Sequence, residues 1–305
     1  MKCSRCHEEA VIYYPQSRQA LCAEHLKEYI ERKVRRAIER FKMLKRGEKV
    51  LVAVSGGKDS LMLWEILVDM GYDTVGLYID LGLGEYSKSS EEHSRGFAEE
   101  RDLTLRIVRV KEDHGIDIVA AAKRLRRPTC SVCGTVKRYI MNREAVEAGR
   151  VLATGHNMDD EASTLLGNLL TWNGEQLLRA SPSLPSTHPK LARRIKPLIY
   201  VSERESATYC FSHGIKYVIP ECPYSEGARL SVVKEALSKI EDRSPGSLLN
   251  FVDGFYRKSE GILCRRNGGI KEGVELNPCP LCGYLTSSSG PCAFCRLKSL
   301  FSSGE

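Results

Sequence analysis

The chain has 305 residues, 42% of them hydrophobic and 28% charged, with 46 Lys and Arg against 39 Asp and Glu for a formal charge of +7. A chain of this length can bury a large core, in one large domain with accessories or in two domains, which excludes disorder as its main state. No apolar run reaches the roughly 18–20 residues that cross a bilayer, and Met1 to Cys6 offers no signal-peptide hydrophobic stretch, so a cytoplasmic protein with no membrane attachment is expected.

Twelve cysteines stand out against that background. Most fall in C-x-x-C pairs, which in a reducing cytosol serve as metal ligands and not as disulfides. The first set is Cys3-x-x-Cys6 with Cys22-x-x-His25. Two short-spaced knuckles facing each other across a loop make a closed tetrahedral zinc site. His7 is the rival ligand to His25, ranked second because His25 completes the two-residue spacing. From Glu24 to Arg46 the apolar residues Leu26, Ile30, Val34, Ile38 and Phe41 recur at three or four positions, predicting an amphipathic helix that links this module to the body.

From Lys49 the texture changes. Short β-rich runs, Val50 to Val54, Thr74 to Ile79, Leu103 to Val110 and Val151 to Thr154, alternate with helical segments. That alternation indicates an α/β fold with a doubly wound parallel sheet. Ser181 to Pro189 is a loop by composition. Helices are expected over Glu203 to Ser212, Ala228 to Ile240 and Ser244 to Lys258. The last cysteines, Cys279-x-x-Cys282 and Cys292-x-x-Cys295, make a second closed four-ligand zinc set. The chain thus divides into an N-terminal zinc module (1–28), a linker helix (29–48), a body (49–272) and a C-terminal four-cysteine ribbon (273–305). Cys210 and Cys264 lack partners at any metal spacing and are read as ordinary residues, Cys210 as part of the core.

The body's first strand runs directly into Ser55-Gly56-Gly57-Lys58-Asp59-Ser60, which opens a helix from Leu61 to Met70. Adjacent glycines let the backbone approach a phosphate, the helix amino terminus presents unpaired N–H groups, and Lys58 adds a positive charge. A P-loop of the G-x-x-x-x-G-K-[ST] type is disfavoured, because Val52 stands at its first glycine and Asp59 where Ser or Thr would hold magnesium.

Farther along, Cys130-Ser131-Val132-Cys133 precedes a helix predicted from about Thr135 to Ala148, and Cys222 stands between Glu221 and Pro223. By spacing alone such a pair is a redox dithiol, half a zinc site or part of an iron–sulfur site. Asp159, Asp160 and Glu161 follow the fourth strand. They either begin a solvated helix favoured by its dipole or act at a strand's carboxyl end, where open α/β sheets place ligands.

Together these motifs resemble the PP-loop ATP pyrophosphatases, whose S-G-G-x-D-S fingerprint is matched at Ser55 to Ser60. Within that family the chain is most similar to the TtuA-like tRNA 2-thiouridine synthetases. The carrying segments are C-x-x-C-G-x-x-K-R at Cys130 to Arg138, E-C-P at Glu221 to Pro223 and G-H-N-x-D-D at Gly155 to Asp160. Arg194 to Leu198 with Ser202 to Glu205 resembles the group acting on the T-loop uridine, position 54, more than its sister acting on the wobble uridine, position 34. The resemblance implies a tRNA uridine 2-sulfurtransferase that adenylates the uracil C2 oxygen and then installs sulfur through a [4Fe-4S] cluster. It assigns that cluster to Cys130, Cys133 and Cys222, with a fourth iron free of protein ligands. It places ATP at Ala53, Ser55, Gly56, Gly57, Lys58, Asp59, Ser60, Ile79 and Gly155. Mg2+ falls to Asp59 with Asp159 or Asp160, and Lys137 stabilises charge on the uracil or phosphate. It further implies a homodimer and a sulfur supply from a ubiquitin-like thiocarboxylate carrier or from sulfide.

Basic clusters at Arg32 to Arg36, Lys123 to Arg127, Arg193-Arg194 with Lys196, and Arg265-Arg266 could follow a phosphate backbone. The second leads straight into Cys130. Two rival readings remain: another PP-loop enzyme, such as a cytidine thiolase or an amide-forming ligase, and a non-catalytic zinc-ribbon RNA-binding protein, which would have no use for Ser55 to Ser60.

Overall fold

A computed structural model describes residues 1–220, 222–224, 229–263 and 276–301. Glu221, Ala228, Cys264, Arg265, Arg266 and the expected boundary at 272 lie outside the described residues. The N-terminal module is a hairpin, β1 (Ile12–Tyr14) antiparallel to β2 (Gln19–Leu21), that runs into helix α1 (Ala23–Arg40). Helix α1 buries the stripe Leu26, Ile30, Val34, Ala37 and Ile38. It stops short of the expected Arg46 because Lys42 adopts a left-handed φ of 48° and the Met43 N–H closes back onto the Ile38 carbonyl. The module is pinned to the body by Glu205, a buried carboxylate that accepts from the Tyr14 hydroxyl (2.8 Å) and Lys33 (2.6 Å).

The body continues through β3 (Lys49–Val54), α2 (Lys58–Asp69), β4 (Asp73–Asp80), α3 (Glu85–Glu100), β5 (Leu105–Arg109), α4 (Val110–His114), α5 (Ile118–Leu125), α6 (Thr129–Glu147) and β6 (Val151–Thr154). There follow α7 (Met158–Leu170), α8 (Gly174–Arg179), β7 (Ser183–Leu184), β8 (Arg194–Ile195), α9 (Glu203–Ser212), α10 (Arg229–Arg243) and α11 (Ser247–Leu263). The C-terminal module holds β9 (Asn277–Pro278), β10 (Leu285–Thr286) and α12 (Ala293–Ser299).

Strand β3 shows why the sheet is covered on both faces. Val50, Val52 and Val54 join one core with Trp64 of α2 and the stripe of α1, while Leu51 joins another with Leu77, Ile79 and the α6 residues Val136 and Ile140. A strand buried on both sides belongs at the centre of a parallel sheet. The order is β5-β4-β3-β6-β8-β7, parallel except for β7 at the edge, so the doubly wound expectation holds. Chain order reverses between β3 and β6, so the segments after these two strands leave the same sheet edge side by side, where open α/β sheets bind ligands.

Three expectations are corrected. The stretch read as loop contains β7, and β8 lies just beyond it; two-residue strands are too short for alternation to reveal. Helix α6 begins at Thr129, so Cys130 and Cys133 sit in its opening turns and not before it. Pro128 caps that helix, and residues 130, 133 and 137 then share one face. Helix α11 starts after Ser244-Pro245, which form a turn closed by Gly246 at φ 97°.

The C-terminal module packs on α6. Phe294 stacks on Tyr139 with ring centres 3.8 Å apart, Tyr284 meets the same ring at 4.9 Å, and Cys279, Cys292 and Cys295 belong to the core of α6. No helix among the described residues is long and apolar enough to cross a membrane.

Candidate active site

At the switch point the Ser55 to Ser60 loop turns from β3 into α2. Gly56 has φ 73°, and a Cβ there would lie 2.4 Å from the Ser90 carbonyl oxygen of α3, so the position requires glycine twice over. Gly155, after β6, lies against the backbone of Ser60, where a Cβ would come within 2.9 Å of its nitrogen. Ser60 Oγ accepts from the Ser55 N–H (3.1 Å) and donates to the Gly57 carbonyl (2.9 Å), which fixes the loop's curvature.

A cavity of about 550 Å³, within the range of small-ligand sites, opens at this edge. Ala53, Ser55, Gly57, Asp59, Ser60, Ile79 and Gly155 line it, and so do Asp160 and, from α6, Gly134, Lys137 and Arg138. The nucleotide loop and the helix bearing the central cysteines therefore share one cavity. Gly56 and Lys58 do not line it: Gly56 packs on α3, and Lys58 turns to Glu203 (2.7 Å) and Asp59 (3.3 Å). Burial disfavours the charged lysine, but Asp59 and Glu203 outweigh it and raise its pKa.

The adjacent acids part ways. Asp160 faces the cavity, caps α7 through a reciprocal bond with Asn157, and meets Lys234 at 3.1 Å. Asp159 turns away to accept the Glu203 N–H (2.8 Å), and burial raises its pKa. Asn157 donates to Asp59 (3.0 Å) and so ties the segment after β6 to the Ser55 to Ser60 loop. His156 borders the cavity and therefore has solvent-accessible area, yet dense protein around the ring lowers its pKa, with Lys196 adding to the effect.

The two end sets converge as expected. Cys3, Cys6, Cys22 and His25 hold their donor atoms within 4.8 Å of one another, as do Cys279, Cys282, Cys292 and Cys295. Such sets fit one tetrahedral ion each. Burial works against the thiolates of Cys3 and Cys279, but backbone N–H donors, from Arg5 and Cys292 among others, prevail and bring both pKa values to about 6. His25, and not His7, is the histidine whose ring converges with the three cysteines of the N-terminal set.

The central cysteines are arranged differently. Cys130 is exposed with its thiol 3.0 Å from the Tyr224 carbonyl, Cys133 is half-buried, and Cys222, from the segment between α9 and α10, comes near enough to Cys133 to act on its charge. Burial pushes the Cys133 thiol up to about 11, with Lys137 pulling the other way and Cys130 and Cys222 adding to the rise. These three do not form a compact donor group like the end sets. A cluster whose thiolates bind different irons needs wider spacing than a single ion does, so the donor chemistry fits.

Of the basic clusters, several members are engaged internally: Lys33 with Glu205, Arg36 with Asp253, Arg193 with Glu48, and Lys196 with Glu161. Lys123 to Arg127 are exposed, and Arg194 lines the cavity.

Comparison with known proteins matches these features. Residues 26–226 match the PP-loop domain, and residues 2–27 match the N-terminal LIM domain of 2-thiouridine synthetase TtuA. The chain is 47% identical to the tRNA-5-methyluridine(54) 2-sulfurtransferase of Thermus thermophilus, covering 97% of this chain and 91% of that protein. This chain belongs to the TtuA family of PP-loop proteins. Another TtuA-family member, the tRNA-5-methyluridine(54) 2-sulfurtransferase of Pyrococcus horikoshii, is 44% identical over 98% of this chain and 94% of its own length. The TtuA-family fold also superposes on the U34-tRNA thiolase NcsA of Methanococcus maripaludis, solved with its [4Fe-4S] cluster, at TM-score 0.80 and 28% identity over 100% and 98% of the two chains.

Sequence reasoning missed Glu203, Lys234 and Asn157 as site residues. Asn157 lay inside the matched G-H-N-x-D-D stretch and could have been found there; Glu203 lay inside the Ser202 to Glu205 segment with no role attached, Lys234 carries no motif, and both reach the site only through the packing of α9 and α10 on α2 and α7.

Proposed function

We propose that this protein is an ATP-dependent tRNA uridine 2-sulfurtransferase acting on the T-loop uridine at position 54. The observation that carries the reading is the shared cavity, in which the Ser55 to Ser60 loop and Lys137, one helical turn past Cys133, face a common space. Likeness to position-54 enzymes at 47% and 44%, against 28% for the wobble thiolase, favours the T-loop.

The loop N–H groups and the amino end of α2 receive the ATP phosphates, with the adenine between Ala53 and Ile79. The uracil C2 oxygen attacks the α-phosphorus, releasing pyrophosphate and making AMP a leaving group. Lys137 offsets the negative charge that develops on the uracil or phosphate oxygens. Asp59 and Asp160 face the cavity where a magnesium ion accompanying the phosphates would be held. Cys130, Cys133 and Cys222 would hold a [4Fe-4S] cluster, which supplies an iron free of protein ligands on which a sulfur atom can be presented. Sulfur then replaces the oxygen at C2 and AMP departs. The target base must leave its stack to enter, and exposed Lys123 to Arg127 beside Cys130 would hold the RNA backbone. The end modules hold structural zinc, two ions in all. A thiocarboxylate carrier or sulfide as donor, a homodimer and a cytoplasmic location belong to the same reading.

The test is anaerobic reconstitution with iron and sulfide, addition of ATP, magnesium, a sulfide source as sulfur donor and unmodified tRNA, and digestion to nucleosides. The expected product is 2-thiouridine mapping to position 54. Its absence overturns the reading, and mapping to position 34 moves the enzyme to the wobble class.

A further inference from the structure

Glu203 and Lys234 complete a chain of ion pairs around the nucleotide loop. Lys58 Nζ lies 2.7 Å from Glu203 Oε1 and 3.3 Å from Asp59 Oδ2. Lys234 Nζ lies 2.7 Å from Glu203 Oε2 and 3.1 Å from Asp160 Oδ1. Glu203 opens α9, and its own N–H is held by Asp159, so the backbone from which its side chain extends is fixed. Two ammonium groups thus face three carboxylates, and a polyphosphate entering the cavity meets Asp59 and Asp160 while Lys58 is engaged outside the lining. These side chains are 20–38% exposed, so the pairs are partly solvated and can exchange partners at small cost.

We propose that Glu203 is the resting partner of Lys58 and that the phosphates of ATP take the lysine from it, with Lys234 neutralising the carboxylate left behind. This rests on the ATP-using reading above. The same movement strips Lys58 from Asp59 Oδ2, leaving that oxygen available for the divalent cation that travels with ATP. Glu203 and Lys234 are positioning residues: they act through Lys58 and Asp160. Because the competent arrangement requires breaking the Lys58–Glu203 pair, Glu203 lowers the apparent affinity for ATP.

The experiment uses the full-length, cluster-reconstituted enzyme and measures pyrophosphate release with tRNA, together with the Kd of a non-hydrolysable ATP analogue. Glu203→Gln removes the competitor, and both KM for ATP and Kd fall about 5- to 10-fold while kcat stays within about 2-fold. Glu203→Asp keeps the charge and lowers KM less than Glu203→Gln does. Lys234→Met lets Glu203 hold Lys58 more firmly and raises KM, an effect that shrinks at least about 3-fold in the Glu203→Gln background because the two act through one network. An unchanged or raised KM in Glu203→Gln, or additive effects in the double variant, overturns the handover. If Glu203→Gln does not fold, Lys234→Met decides, with an unchanged KM overturning it. A wild-type enzyme that releases no pyrophosphate sinks the ATP-using reading itself; a working wild type with an unresponsive Glu203→Gln sinks the handover alone.

Discussion

The cysteines at the two ends and those at the centre are built from the same C-x-x-C unit but end in opposite environments. At the ends, two knuckles meet, four donors come within 4.8 Å of one another, and most of the ligands are buried. At the centre a single knuckle rides the first turns of α6, Cys130 is exposed, and the third thiol arrives from a separate segment. Closure suits a metal that braces the fold, because no coordination position remains for a substrate. Openness beside a cavity suits a metal that reacts. The motif alone carries neither meaning; the number and origin of its partners do.

The comparison breaks first at Cys222. Cys222→Ala is expected to reduce 2-thiouridine formation below detection while the unfolding temperature stays at the wild-type value, measured by nucleoside analysis and calorimetry. Retained activity would remove the central set from the chemistry. Gly56→Ala forces a Cβ onto the Ser90 carbonyl and strains a left-handed backbone; pyrophosphate release should fall about 100-fold, the cost of misplacing a phosphate cradle by an ångström.

Opposite behaviour is expected at the ends. Cys279→Ser should lose the zinc of its module by metal analysis and lower the unfolding temperature by about 10 °C, because structural metal binding is folding free energy. Phe294→Ala removes the ring stacked on Tyr139 and should cost about 3 kcal/mol in denaturant unfolding. The smallest effect concerns His114, which packs edge-on against Phe294 at 5.3 Å. Burial, then Arg143 and Lys298, depress its pKa below 6.5, with Asp113 and Glu144 opposing. A depressed imidazole must stay neutral in the folded state, so its contribution is complete above pH 6.5 and is lost as pH falls below that value. His114→Gln should flatten the acid limb of the stability curve.

Much of this was legible from residues alone. The strand runs, the loop at Ser55 to Ser60 and both end sets depend on local periodicity and short spacing, and they stand where the sequence placed them. The capping box at Ser202 with Glu205 held α9 to its expected span, Glu203 to Ser212. The start of α6 was misplaced because Pro128 and two cysteines look like a loop until the helix is seen to begin on them. β7 and β8 escape the sequence pattern because pairing, β8 with β6 and β7 with β8, and not their own residues, makes them strands.

Sequence by itself determined the fold class, the place of the Ser55 to Ser60 loop after the first strand of the sheet, and the two end groups of Cys and His that converge, since each is written in residues close along the chain. Only the tertiary structure decided which acid faces the cavity, that Lys58 rests on Glu203, and that the C-terminal module seats on the helix carrying Cys133. Those outcomes depend on side chains far apart in sequence, such as Lys58, Glu203 and Lys234, whose charges interact only once the packing of α2, α7, α9 and α10 has brought them within a few ångströms.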